Sequence, residues 1–197
     1  MNNIDEICEK YNIKNYTIND DGSIDVNDSV ILCQFELTEL PLLFNKVTGG
    51  FDCNINKLTT LKGSPKWIGG NFGCMYNNLT SLEFGPEYVS GYFTCINNDL
   101  SDLVGSPKQV DGNFNCINNG KLTNPKGCSE KIGGLFYCSK TRLGSIFNEV
   151  DQHFLYTFNF YKIIKDNTVN LKRLKYVMDL YDKPINLNRI EKYYRIV

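Results

Sequence analysis

Apolar positions along this chain follow three different rhythms. From residue 51 onward a Phe and a Cys recur two residues apart, as Phe51/Cys53, Phe72/Cys74, Phe93/Cys95, Phe114/Cys116 and Phe136/Cys138. The cysteines step by 21, 21, 21 and 22 residues, and a weaker copy at Ile31-Leu32-Cys33 precedes them by 20. A two-residue offset puts both side chains on one face of a β-strand. A fixed period of about this length is the signature of a solenoid. Within a unit, as in Phe72-x-Cys74-x-x-Asn77-x-Leu79, further apolar positions follow at Leu82 and Val89, with Pro86 and Gly91 among them. The return path between strands is too short for a long helix, so it is expected to run through turns or a short extended segment.

The flanks differ. Ile4, Ile7, Cys8, Tyr11 and Ile13 among acids and lysines predict an amphipathic helix over residues 1–16. Tyr16 to Ile31, turning at Asp20-Asp21-Gly22-Ser23, predicts a hairpin. Its acids lack the ligand order of a calcium loop. From Ser145 the spacing becomes three and four: Ile146-Phe147, Val150, Phe154, Phe158, Tyr161 and Ile164 predict one helix. Leu171, Leu174, Val177-Met178 and Tyr181 predict a second, and Leu187, Ile190, Tyr193-Tyr194 and Val197 a third, with Asn186 or Asn188 as cap. The expected organisation is therefore an N-terminal helix and hairpin cap over 1–30, a solenoid of about six coils over 31–144, and a helical cap or module over 145–197.

The series Phe51-x-Cys53-x-x-Asn56-x-Leu58, Phe72-x-Cys74-x-x-Asn77-x-Leu79 and Phe93-x-Cys95-x-x-Asn98-x-Leu100 resembles the leucine-rich-repeat core, with Phe and Cys in two of the Leu places. Leu61-x-Gly63-x-Pro65 and Leu103-x-Gly105-x-Pro107 resemble a divergent group of short repeats in proteins of tailed bacteriophages and some bacteria. The resemblance covers about residues 21 to 144. It implies a right-handed solenoid with a parallel β-sheet, an α+β chain once the caps are included, presenting a surface to another macromolecule. A phage protein that binds and inhibits a host or defence protein is one such role, and a structural component of a virion is the alternative.

Eight cysteines in 197 residues invite a disulfide or metal reading, which position argues against. Cys33, Cys53, Cys74, Cys95, Cys116 and Cys138 are expected at one equivalent strand place, stacked about 4.8 Å apart with parallel side chains. That geometry suits neither a disulfide nor a tetrahedral ion, so no cofactor or metal is expected. Cys8 and Cys128 lie outside the column and are expected at the surface. Asn56, Asn77, Asn98 and Asn119 form a second column, suited to satisfying turn amides and carbonyls between coils. The first coil keeps Leu37 and Leu40, but with Glu36 at the Asn place it looks one residue short. At the other end Gly120 is an extra residue, and Thr141 replaces the last Asn.

No run of 18 apolar residues and no signal-peptide pattern is present, so a cytoplasmic protein without membrane attachment is expected. A single histidine, His153, and scattered carboxylates complete no catalytic set, and no enzyme is expected. Charge is uneven: residues 1–144 hold 12 cations against 16 anions, residues 145–197 nine against six. Lys172, Arg173, Lys175, Lys183, Arg189, Lys192 and Arg195, with Tyr193 and Tyr194, are therefore candidates for nucleic-acid contact. The favoured site lies elsewhere. Outward strand positions combine Met, Ile and Tyr with amides, a composition suited to a protein contact, and Met75, Tyr76, Tyr92, Ile96, Ile117 and Tyr137 are the expected partner-binding residues.

Overall fold

The computed structural model describes residues 3–197. A parallel-strand β-solenoid of about five turns forms the body of the chain. The helix α1 (Asn3–Lys10) and the antiparallel pair β1 (Tyr16–Ile18) and β2 (Ile24–Val26) lead into it. There follow β3 (Val30–Ile31), β4 (Phe44–Val47), β5 (Phe51–Asp52), β6 (Trp67–Ile68), β7 (Phe72–Gly73), β8 (Tyr88–Val89) and β9 (Phe93–Thr94). Next come β10 (Gln109–Val110), β11 (Phe114–Asn115), β12 (Lys131–Ile132) and β13 (Leu135–Tyr137). Odd strands from β3 to β13 make a front sheet that carries the Phe-Cys motif, and even strands from β2 to β12 make a back sheet. The return path thus contributes a second parallel sheet of its own.

Each coil buries the same set of side chains. In one turn Phe72, Cys74, Leu79, Leu82 and Val89 are fully enclosed, and each large apolar group so buried contributes about 1.5–3 kcal/mol. The phenylalanines stack along the axis, with centroids 5.8 Å apart for Phe51/Phe72, 5.2 Å for Phe72/Phe93, 5.0 Å for Phe93/Phe114 and 5.5 Å for Phe114/Phe136. Coils approach closely at the entry to each front strand. A Cβ at Gly112 would lie 2.8 Å from the Gly91 carbonyl carbon, so only glycine fits there.

The asparagine column is a hydrogen-bond ladder. Asn98 Nδ2 donates to the carbonyls of Cys74 (3.0 Å) and Cys95 (3.1 Å), while its Oδ1 accepts from Leu79 N (3.0 Å). Asn77 and Asn119 repeat the pattern one coil either side. Thr141 ends it, donating to Cys138 O at 2.6 Å and accepting from Gly144 N at 2.7 Å. The residue before each ladder position is left-handed: Gln34, Ile55, Tyr76, Asn97, Asn118 and Lys140 have φ between 53° and 63°.

That series corrects the register expected for the first coil. Val30 pairs with Phe51 and Ile31 with Asp52, so Leu32, not Cys33, is the counterpart of Cys53. Leu32 is fully buried and Cys33 only partly. Phe35, not Glu36, occupies the ladder place, and the coil is of full length. Leu37 and Leu40 stand 21 residues before Leu58 and Leu61, which places more core volume in register than one cysteine does. Cys8 is another correction: α1 turns it inward, and it joins the continuous core with Ile13.

After a single 3-10 turn at Leu143–Ser145 the chain forms β14 (Glu149–Asp151), antiparallel to β13. The helix expected from Ile146 therefore begins only at α2 (Gln152–Phe160), capped by the Asp151 side chain on Phe154 N at 2.8 Å. An open strand edge favours pairing over helix, and Val150 alone points inward from β14. Gln152 serves the back sheet in the same way: its Oε1 accepts from Ile132 N at 2.7 Å. Beyond lie β15 (Ile164–Lys165), β16 (Thr168–Val169), α3 (Leu171–Leu180), α4 (Leu187–Glu191) and β17 (Arg195–Ile196). The three strands form a small sheet in the order β15-β16-β17. The third expected helix is shortened to one turn by that pairing, with Asn186 as its cap. The expected N-terminal helix ends at Lys10, and its residues 1 and 2 lie outside the described residues. No described helix is long and apolar enough to cross a membrane.

Candidate functional site

The front sheet places its outward residues in rows parallel to the solenoid axis. Register is continuous through Phe72↔Phe93 and Phe93↔Phe114, and it extends past the strands, where Ile55 N, Tyr76 N and Asn97 N donate to Met75 O, Ile96 O and Ile117 O at 2.8, 2.9 and 3.1 Å. Met75, Ile96 and Ile117 therefore stand side by side in adjacent coils, each half-buried. Tyr76 flanks that row from the left-handed turn and is 56% exposed. Tyr92 lies on the opposite margin of the sheet and is 53% exposed. Tyr137 belongs to the central row, in line with Thr94 and Asn115. The six expected residues share one face, in four rows and not in a single patch.

Backbone on this face is held by amide side chains. Asn54 Oδ1 accepts from Met75 N at 2.6 Å, Asn115 Oδ1 from Ile117 N at 3.2 Å, and Asn71 Oδ1 from Tyr92 N at 3.0 Å. The polar atoms between the apolar side chains thus brace the sheet, leaving the rings and aliphatic tips to face outward. Three exposed apolar residues extend the face: Ile31, Ile55 and Leu135. The one-residue difference in register hid Ile31 from sequence reasoning. Ile55 had a usable signal, being the counterpart of Tyr76 one period earlier.

The other chemistry-bearing residues do not converge. All eight cysteines are free thiols. Those of the column donate to backbone carbonyls, such as Cys53 Sγ to Gly73 O at 3.2 Å and Cys116 Sγ to Tyr137 O at 3.2 Å. Burial pushes the Cys53, Cys74, Cys95, Cys116 and Cys138 thiols well above their ordinary value, which makes them poor nucleophiles. His153 is exposed at the start of α2, its ring 5.7 Å from that of Tyr181. Among the described residues no three His, Cys, Asp or Glu side chains gather as a metal site.

The C-terminal cations named from sequence are spread out. Arg189 donates to Gly144 O and to Asn148 Oδ1, Tyr194 is buried with its hydroxyl on Thr123 O, and Lys183 lies over the Phe154 ring at 5.5 Å. The back sheet carries its own aromatic pair, Trp67 and Tyr88, stacked at 5.8 Å with Lys46 Nζ 4.9 Å from the indole. Stacking along the axis turns ring edges, not faces, toward solvent there. No protein-family model, curated protein or solved structure matches this chain.

Proposed function

We propose that this protein is a non-catalytic protein-binding module that works through its front sheet. One observation carries the reading: Met75, Ile96 and Ile117 form a half-buried apolar row on a rigid, hydrogen-bonded sheet, with the exposed rings of Tyr76 and Tyr92 on either margin. Aromatic and aliphatic anchors within a polar surround are the usual energetic centre of a protein contact. A parallel stack hydrogen-bonded in continuous register from coil to coil also suits recognition, because a surface ordered in advance spends little entropy on binding.

The finer architectural reading belongs to this proposal. We take the coil to be leucine-rich-repeat-like, with α1 and the β1-β2 hairpin as one cap and residues 145–197 as the other. Support comes from Cys8 and Ile13 entering the common core, from β14 occupying the last front-sheet edge, and from Gln152 binding at the last back-sheet edge. A phage origin, with a host or defence protein as the partner in the cell cytoplasm, rests on the motif resemblance alone.

The test is affinity capture from lysate of the native host with the wild-type protein and with a Met75→Asp, Ile96→Asp, Ile117→Asp variant, both first shown folded by circular dichroism. A partner held by the wild type should bind the variant on the order of a hundredfold or more weakly, since central anchors each contribute about 2 kcal/mol or more. Equal capture by both would remove the front sheet as the site.

A further inference from the structure

The C-terminal segment builds an open groove of about 760 Å³ against the last return path of the solenoid. Lys126 faces it from the solenoid, Lys162 and Lys165 from the turn after α2 and the β15 strand that continues it, and Arg173 from α3, while Phe158 lies beneath and Asp166 is the one acidic side chain in the lining. Arg173 is positioned from behind: its Nη1 donates to Tyr161 O (3.3 Å) and Lys162 O (3.4 Å) at the end of α2. None of the four cations takes part in an ion pair among the described residues. Four cationic side chains against one acidic side chain, gathered on three separate segments, give a local positive field.

Next to the cations runs a chain of aromatic rings. Tyr156 and Phe160 lie one helical turn apart on the outer face of α2, with centroids 6.4 Å apart, and Tyr161 continues the line to Tyr176 on α3 at 5.4 and 5.2 Å. Tyr156 and Phe160 are each 67% exposed, an unusual placement for rings that could have packed inward. The nearby acids are Glu130, which lines a shallow cleft with Tyr156 and Phe160, and Asp179, one turn beyond Tyr176 on α3. Cations that track a phosphate backbone beside rings that accept stacked bases are the two parts of a single-strand binding surface. An acidic peptide would use the cations but leave the rings without a role.

We propose that this groove and ridge bind single-stranded nucleic acid, with Lys126, Lys162, Lys165 and Arg173 on the phosphates and Tyr156, Phe160 and Tyr176 stacking on bases. The surface is separate from the front sheet and does not depend on the protein-binding reading. Duplex of the same sequence binds less well, because its bases are not free to stack.

The experiment is fluorescence anisotropy of the full chain with a fluorescein-labelled oligothymidylate of about a dozen nucleotides, a length within the usual range for a compact site, over a series of salt concentrations. The expected result is binding that weakens with salt. A Tyr156→Ala, Phe160→Ala variant should lose on the order of tenfold in affinity or more. A Lys162→Gln, Lys165→Gln variant should lower the slope of log affinity against log salt by roughly 0.7 per phosphate contact removed. An Ile96→Asp variant on the front sheet should bind the oligonucleotide as the wild type does, which separates this proposal from the previous one. Absence of binding at low salt, wild-type affinity in the folded aromatic variant, or displacement by polyglutamate as effective as by unlabelled oligothymidylate would each overturn it, the last two pointing to a general polyanion or acidic protein contact.

Discussion

Removing the side-chain amide at Asn98 should cost this protein a large part of its stability. The residue is only 7% exposed and serves backbone groups from two coils: Leu79 N at 3.0 Å, Cys74 O at 3.0 Å, Cys95 O at 3.1 Å and, more weakly, Ile96 O at 3.4 Å. Asn98→Ala leaves Leu79 N unpaired, at about 1–3 kcal/mol for a buried backbone group without a partner, while Cys74 O keeps Asn77 Nδ2 (3.2 Å) and Cys95 O keeps Asn119 Nδ2 (3.1 Å) and each loses one of its donors. The vacated site is polar and about the size of a water molecule, so solvent entry should restore part of the loss. With about 0.5–1.5 kcal/mol for each lost carbonyl bond, a net destabilisation of roughly 2–4 kcal/mol follows, against a total of about 5–15 kcal/mol for a typical domain. Asn98→Asp keeps the acceptor for Leu79 N but sets an anionic oxygen against two carbonyls. Its destabilisation should be fully present at neutral pH and ease as acid protonates the introduced carboxyl, whose value in the folded state is raised by burial and by those carbonyls. Urea denaturation followed by circular dichroism measures both, with exposed Asn78→Ala as a control expected to stay within about 0.5 kcal/mol of wild type. If Asn98→Ala were also within about 0.5 kcal/mol, the ladder would not be a source of stability.

The buried thiols predict alkaline sensitivity. Burial holds Cys53, Cys74, Cys95, Cys116 and Cys138 above their ordinary 9.0, and Cys128 at about 12. The unfolded chain therefore loses these protons first, and stability present below pH 9 should fall as pH rises, by about 1.4 kcal/mol per thiol for each unit well above that value. A urea midpoint unchanged between pH 8 and pH 10 would be incompatible with this. Ile55 is a β-branched residue at φ 54° and is exposed, a conformation costing an L-residue about 1–2 kcal/mol. Ile55→Asn, matching Asn97 and Asn118 at the same place in later coils, should stabilise by roughly 0.5–1 kcal/mol in the same denaturation assay. A lower midpoint would mean that packing of the Ile55 side chain outweighs its backbone strain.

The candidate partner face was partly legible in advance. Alternation in a strand assigns Met75, Ile96 and Ile117 to the outward side once Phe and Cys are known to point inward. What alternation could not supply is how far each protrudes, because that depends on neighbours one period away. Asn54 folds over the place beside Gly73, for example, while nothing comparable covers Tyr76. The groove beside α2 was not legible at all. Lys126 comes from the solenoid and Arg173 from α3, 47 positions later, and only the docking of the C-terminal segment on the last coil brings them together.

The 21-residue spacing alone determined that this chain is a solenoid with a Phe-Cys core and an asparagine ladder, because in a stack every coil offers its neighbour the same environment. A side chain that satisfies one interface then recurs at the next, and the demand is written into the sequence as a period. Tertiary structure decided what happens where that demand stops. In the first coil, pairing of Val30 with Phe51 overruled the alignment of Cys33 with Cys53, since a one-residue slip would turn Leu32 outward. In the last, the open edge of β13 drew residues 149–151 into a strand although their spacing also suited a helix. The same competition drew Arg195–Ile196 onto β16. Edge pairing is a long-range contact, and local periodicity carries no record of it.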